Sequence, residues 1–154
     1  MKGSDVKSKE LINRIKMTFP SLSLNESMAR AAVAAFCSQL NPEVSEIADI
    51  KCAVSEAVTN CTVHAYKGTV GSITVTVRLY SDRSVSITVA DRGCGIADVR
   101  EARKPLFTTG AQDERSGMGF TVMESFMDKV NVRSGLGRGT TVTMLKHLSP
   151  LTHL

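Results

Sequence analysis

The sequence predicts an α+β fold, a two-layer sandwich in which one mixed β-sheet carries helices packed on one face. Three observations predict it. Ile47 to Tyr66 repeats its apolar residues at helical spacing. Two runs that alternate apolar and polar residues, Ile73–Leu79 and Val85–Val89, lie either side of a Ser81–Ser84 turn. The elements come as βααββ, a loop, then αββ, and paired strands with grouped helices are the α+β pattern.

Taken in order, residues 1–9 are polar and read as a flexible tail. Leu11 to Phe19 alternates through Ile15, Met17 and Phe19, a strand that Pro20 ends. Asn25 reads as the N-cap of a helix over the Ala-rich run Met28 to Leu40. Asn41-Pro42 reads as the next helix start, with Asn41 as N-cap, Pro42 at the first helical position, and Glu43 and Glu46 at the positive end of the dipole. On that helix Ile47, Ile50, Val54, Ala57, Val58, Cys61 and Ala65 fall within about a third of the circumference, a core-facing stripe. Glu56 and Asn60 are one turn apart and share a face that points roughly away from the stripe. Lys67-Gly68 supplies the stop.

After the two alternating strands, Asp91 to Gly95 breaks the pattern with Gly93 and Gly95. A short helix is expected from Ala97 to Ala102, then an aperiodic segment from Pro105 to Arg115. Phe120, Met123, Phe126, Met127 and Val130 mark a helix beginning near Gly117, and its Phe/Met stripe reads as core. A hairpin closes the fold: Lys129–Ser134, a glycine-rich turn, and Thr140–Lys146. Residues 148–154 read as a second flexible tail. The irregular stretch from Gly95 to Ser116 is longer than a compact domain tolerates unless it has a function.

Composition narrows the classes. With 154 residues the chain is expected to be one domain able to bury a real core. Its net charge, 19 − 15 = +4, is mild, and no Lys/Arg-dense segment alternates with aromatics, so nothing calls for direct nucleic-acid binding. No apolar run approaches the ~18 residues of a membrane span. The start, MKGSDVKSKE, has no apolar signal region, so a cytoplasmic location is expected. Cys37, Cys52 and Cys61 read as small buried hydrophobes, and Cys94, in a glycine loop, as the most reactive thiol. With His64, His147 and His153 they complete no zinc spacing.

Four pieces carry chemistry. A carboxylate and an amide oxygen spaced like Glu56 and Asn60 can share one hard cation or one water; the alternative is a solvated pair on an amphipathic helix. Asp91 ends a strand, where it can accept from an exocyclic amine, and Gly93 and Gly95 leave room for a ring. Ser116-Gly117-Met118-Gly119-Phe120 opens a helix, so its backbone amides and the helix dipole make a phosphate seat. It is neither a Walker nor a Rossmann loop. Thr140 and Thr141 offer hydroxyls at the start of the last strand.

In this order and spacing the four pieces resemble the ATP-site boxes of the GHKL superfamily, the Bergerat fold. Three phrases go further. Ser55-Glu-Ala-Val-Thr-Asn60, Glu101-Ala-Arg-Lys-Pro-Leu-Phe-Thr-Thr109 and Glu114-Arg-Ser-Gly-Met-Gly-Phe-Thr121 resemble the anti-sigma F factors of spore-forming bacteria, a family of serine kinases that bind a sporulation sigma factor. The resemblance runs from about Asn25 to about Lys146 and shows no departure in the four boxes. It implies ATP/ADP and Mg²⁺ as cofactors. It makes Asn60 the metal ligand, Glu56 the general base and Asp91 the reader of the adenine amine, with Thr140 nearby. It makes Pro105 to Arg115 the ATP lid, with Thr108 and Thr109 in it and Arg115 facing the terminal phosphate. Arg30 matches a partner-contacting position, and a homodimer is implied.

No phosphoacceptor hairpin of the kind a histidine kinase needs is read ahead of the domain, and 154 residues are expected to leave no room for the extra domain of gyrase-type and chaperone ATPases. The expected function is therefore an anti-sigma factor and serine kinase that phosphorylates an anti-anti-sigma factor. A nucleotide-dependent binding module without turnover stays open, as does an anti-sigma kinase of a stress-response sigma factor.

Overall fold

The computed structural model describes residues 9–105 and 119–151. Strand β1 (Leu11–Pro20) leads into helix α1 (Leu24–Cys37) and a 3₁₀ turn (Ser38–Leu40). Helix α2 (Val44–Asn60) continues into one π-helical turn (Cys61–Ala65). Then come β2 (Ser72–Tyr80), β3 (Ser84–Asp91), the short helices α3 (Val99–Ala102) and α4 (Phe120–Phe126), and the hairpin β4 (Lys129–Ser134) and β5 (Thr140–His147). The five strands form one sheet in the order β1-β2-β3-β5-β4.

The two-layer α+β class holds, with helices on one face of the sheet. The pairings are antiparallel throughout, where a mixed sheet was expected. The reason is how the last hairpin enters. Its second strand, β5, lies against β3, and β4 takes the edge, so no strand meets a parallel neighbour.

Alternation does the sorting. Val77, Ile87, Met144 and Val130 stand in one row across the sheet, and Val75, Val89, Val142 and Val132 in the next. These rows pack under Val33 and Cys37 of α1, Ile50, Val54 and Val58 of α2, and Phe120 and Met123 of α4. The small residues Ala29, Ala53 and Ala57 are buried between the layers and let the helices lie close. Among the described residues no helix covers the opposite face, which carries polar residues such as Thr74, Thr88 and Thr143 and also bears Lys16 and Arg78.

Helix starts differ from the sequence expectation. Helix α1 begins at Leu24 after Ser23, and the Asn25 side chain donates back to the Pro20 carbonyl (2.9 Å). Asn41 adopts a left-handed backbone (φ 50°) and closes the 3₁₀ turn; it does not cap α2. The α2 cap is a capping box between Glu43 and Glu46. Short polar side chains compete for several local backbone partners, and here two asparagines chose turns over caps.

Glu46 does more than cap. Its Oε1 accepts from Glu43 N (2.9 Å), and its Oε2 accepts from the Ser149 N–H (2.8 Å) and hydroxyl (3.3 Å). Leu148 is buried and donates to the Arg83 carbonyl (2.9 Å). Leu148 and Ser149 are therefore docked, against the expectation that the chain is free from 148 onward, because the Glu46 carboxylate of α2 takes donors that the tail supplies. Burial raises the Glu46 pKa, but the bonds from Glu43 and Ser149 and the charge of Lys146 outweigh it, so the group sits below its ordinary 4.5.

A lowered folded-state pKa means stabilisation that is present above about 4.5 and lost as pH falls through the folded value. Glu46→Ala is therefore expected to lower stability by about 1–2 kcal/mol at pH 7. Urea melts at pH 7 and pH 3 check this: the gap to wild type should shrink at the lower pH, and an unchanged gap refutes the linkage.

Candidate functional site

One end of α2 builds the site. Its last residues lie over the end of β3, and the switch to a π-helical turn at Cys61–Ala65 widens the helix there. The widened turn sends the Ala65 carbonyl outward, where it accepts from Cys94 N (2.8 Å). Gly93 sits so close that a Cβ there would lie 2.2 Å from the same oxygen. Tyr66 finishes the anchor: its hydroxyl donates to the Ser72 carbonyl (2.7 Å) and accepts from Arg92 N (2.7 Å). The loop after Asp91 is thus fastened to the end of α2 on both sides.

Asp91, at the end of β3, is buried. Its Oδ1 accepts from Gly93 N (2.9 Å) and Thr140 N (3.2 Å), and its Oδ2 from the Cys61 thiol (3.5 Å). Burial, the Asp91 charge and this hydrogen bond push the thiol pKa up, so Cys61 stays a donor. Thr140 also shares a hydroxyl contact with Ser134 (2.8 Å), and Ser134 accepts from Ile96 N (2.7 Å). Gly95 takes a positive φ (+76°) where a Cβ would meet the Gly135 carbonyl at 2.0 Å, so only glycine lets the loop lie on the β4–β5 turn.

Between these segments lies a cavity of about 160 Å³. Val89, Ile96 and Val142 give it apolar walls, Asp91 and Thr140 a polar end, and Asn60 and Phe120 line it where α2 meets α4. The Asn60 Oδ1 is buried. Glu56, one turn earlier, is half-buried and lies beside Gly119, where a Cβ would approach Glu56 Oε2 to 2.1 Å. Gly119 has a left-handed backbone (φ +62°) and starts α4, so the carboxylate touches the entry of that helix. Burial raises the Glu56 pKa above its ordinary 4.5.

A histidine kinase-like ATPase domain model matches residues 19–146. A Caldanaerobacter subterraneus anti-sigma F factor is 52% identical over 139 residues, 90% of this chain and 96% of that protein. The anti-sigma F factor of Pasteuria penetrans is 53% identical over 88% of this chain and 91% of its own, and that of Bacillus licheniformis 49% over 89% and 94%. The chain belongs to the anti-sigma F factor family. Among solved structures, the RsbU and RsbW domains of a Mycobacterium tuberculosis protein share the fold at TM-score 0.64 and 24% identity, over 88% of this chain and 32% of that one. The histidine kinase domain of an Erythrobacter litoralis blue-light activated kinase shares it at 0.55 and 18%, over 80% and 65%.

For a member of this family, an ATPase-type domain implies nucleotide binding, and the cavity has walls suited to a base. A planar ring suits the apolar walls, and the acceptor at Asp91 suits an exocyclic amine. Among the described residues no cluster of three or more His, Cys, Asp or Glu could cage a metal. Asn60 and Glu56 carry the hard oxygen donors that a Mg²⁺ ion, which takes few protein ligands and shares its shell with phosphate oxygens and water, would use.

Of the residues singled out in the sequence, Asn60, Asp91, Gly95, Phe120 and Thr140 line the cavity, while Gly93 and Gly119 support its rim. On the Glu56/Asn60 face, Asn60 meets the cavity and half-buried Glu56 meets the start of α4. Thr108, Thr109, Arg115, Ser116, Gly117 and Met118, and the lid beyond Pro105, lie outside the described residues. Arg30 is not among the residues lining the cavity; it is half-buried and bonded to Ser55 (3.2 Å) and Ser27 (3.1 Å). Cys37 and Cys61 are buried, burial raising the Cys37 thiol to about 12, but Cys52 is exposed because it lies off the α2 stripe. Cys94 is exposed as a loop residue. Sequence reading missed Tyr66, Ser134 and the Cys61–Asp91 contact; each joins segments far apart in the chain.

The raised pKa of Glu56 sets a pH test. Between about 4.5 and the raised value the folded state holds more protons than the unfolded one, so this group's contribution falls as pH rises. Glu56→Gln is expected to raise the melting temperature relative to wild type at pH 7.5, with the gain fading towards pH 4. A gain equal at both pH values refutes burial as the cause.

Proposed function

We propose that this chain is a cytoplasmic anti-sigma factor and a Mg-ATP-dependent protein serine kinase. It holds a sporulation sigma factor inactive and phosphorylates a serine of an anti-anti-sigma antagonist. The observation that carries this is Glu56, half-buried beside Gly119 and one helical turn from Asn60, which lines the cavity. Asp91 would accept from the adenine amine at the closed end. Asn60 would hold Mg²⁺, which supplies charge neutralisation on the phosphates. Phosphoryl transfer is mainly positioning plus such neutralisation, with a carboxylate taking the proton of the attacking hydroxyl. In that step the antagonist's serine oxygen bonds to the terminal phosphorus, its proton passes to Glu56, and the bond to the bridging oxygen of ADP breaks.

The family names support the sigma-binding half, since the relatives are anti-sigma F factors. The docking surface would include α1 through Arg30, and the working form would be a homodimer. Arg30 is held by Ser55, next to Glu56, so partner contact and the base share one strut of α1 and α2.

Mass spectrometry of an anti-anti-sigma protein incubated with the chain and Mg-ATP tests the kinase. A phosphoserine is expected. Glu56→Gln should largely keep ATP affinity yet lose about 10²–10⁴-fold in transfer rate, and Asn60→Ala should weaken Mg-ATP binding and transfer together. Transfer by Glu56→Gln at the wild-type rate would remove Glu56 from the reaction. ATP binding with no phosphoserine would leave a binding module without turnover.

Arg30→Glu is expected to weaken pull-down of both the sigma factor and the antagonist while sparing ATP affinity. Unchanged capture of either partner removes Arg30 from the docking surface.

A further inference from the structure

We propose that Cys61 is a positioning residue for base selection: its thiol holds Asp91 Oδ2 so that the carboxylate presents an acceptor to a 6-amino purine and turns away a 6-oxo one. This rests on the reading of the cavity as an adenine-nucleotide site and adds the residue that sets the preference.

The two carboxylate oxygens of Asp91 are held differently. Oδ1 accepts from two backbone amides, Gly93 N and Thr140 N, so the main chain of the loop and of β5 fixes it. Oδ2 accepts from one side chain, the Cys61 thiol at 3.5 Å. Without that contact Oδ2 keeps only what a ligand or water offers. The thiol has a second acceptor at the same distance, the Ala57 carbonyl one turn back (3.5 Å). A charged acceptor attracts the proton more strongly than a neutral carbonyl does, so the S–H points at Asp91. Both residues line the cavity. Cys61 is buried at the first position of the π-helical turn, which aims its side chain across to β3.

The chemistry of selection follows. Adenine carries a donor at position 6, and guanine and hypoxanthine carry an acceptor there. A carboxylate has no proton to give, so it pairs with the first and repels the second. Discrimination then depends on how Oδ2 is occupied, because an oxygen left without the thiol can recruit a water, and that water can donate to a carbonyl. A hydroxyl in its place would keep a donor at this position.

The test measures dissociation constants of Mg-ATP and Mg-ITP by calorimetry for wild type, Cys61→Ala, Cys61→Ser and Asp91→Asn. Wild type is expected to prefer ATP. Cys61→Ala is expected to lose about 5–10-fold of the ATP/ITP ratio, an energy within the range of one ordinary intramolecular hydrogen bond. Cys61→Ser should stay within about twofold of wild type, the donor being retained. The ratio is the readout because a general loosening of the fold lowers both affinities and leaves it unchanged. A wild-type ratio in Cys61→Ala overturns the proposal, and if that variant does not fold, a lost ratio in Cys61→Ser overturns it instead. Should Asp91→Asn also keep the ratio, the adenine reading of the cavity falls with it; should Asp91→Asn alone lose it, only Cys61 falls.

Discussion

A buried carboxylate must find hydrogen-bond donors, and Asp91 finds its donors on three separate segments. Gly93 N belongs to the loop that follows β3, Thr140 N to β5, and the thiol to the end of α2. None of these can be in place unless the sheet has closed and α2 has settled on it. The site is therefore completed by the same event that completes the core. Glycine makes the approach possible: a Cβ at Gly139 would lie 2.2 Å from the Asp91 carbonyl. A larger residue there would push β5 away from the carboxylate and open the polar end of the cavity.

Helix α2 carries this arrangement because it is held at both ends. At its start, the Glu46 carboxylate joins the capping box to the docked Ser149, and Lys146 reaches from β5 to Asp49 (3.3 Å) and the Phe126 carbonyl (2.7 Å). At its end, Thr62 donates to Glu26 of α1 (2.7 Å), and Tyr66 and Ala65 grip the loop after Asp91. On α3, Arg103 bonds Glu124 of α4 and the Val130 carbonyl of β4, which ties the far wall together. Glu56 and Asn60 lie between the two anchored ends, on the part of the helix with least freedom to tilt. Side chains that must meet a ligand within a fraction of an ångström are best carried there.

What the sequence made legible was local. The Glu56/Asn60 spacing, the strand end at Asp91 and the alternation of β2 and β3 each depend on residues a few positions apart, and each stands where the pattern put it. Element order was legible for the same reason. Pairing was not: nothing in β4 or β5 alone says that β5 lies inside and β4 at the edge, which is what makes the sheet antiparallel throughout. Helix starts failed where two local solutions competed, as at Asn25 and Asn41. The Cys61–Asp91 bond spans thirty positions and the Glu46–Ser149 bond more than a hundred. Neither has a local signature, so a thiol on an apolar stripe read as filler and a polar tail read as loose.

The burial of Glu56 has two consequences that oppose each other. Partial loss of water raises its pKa, which makes the ionised form less comfortable and takes stability from the fold near neutral pH. For the base role proposed for Glu56, the same shift moves the carboxylate towards the pH at which a base is most effective, since proton affinity and the ionised fraction must both be kept high. Fuller burial would carry the group past that balance and leave it protonated; full exposure would return it to a weak base. Gly119 sets the intermediate position. Its left-handed backbone brings the start of α4 against the carboxylate without a side chain to cover it. An alanine there would meet Oε2, and the carboxylate would have to turn out to solvent or α4 would have to withdraw. Either movement would undo the pKa shift, so one backbone position governs both the stability lost at Glu56 and the basicity gained.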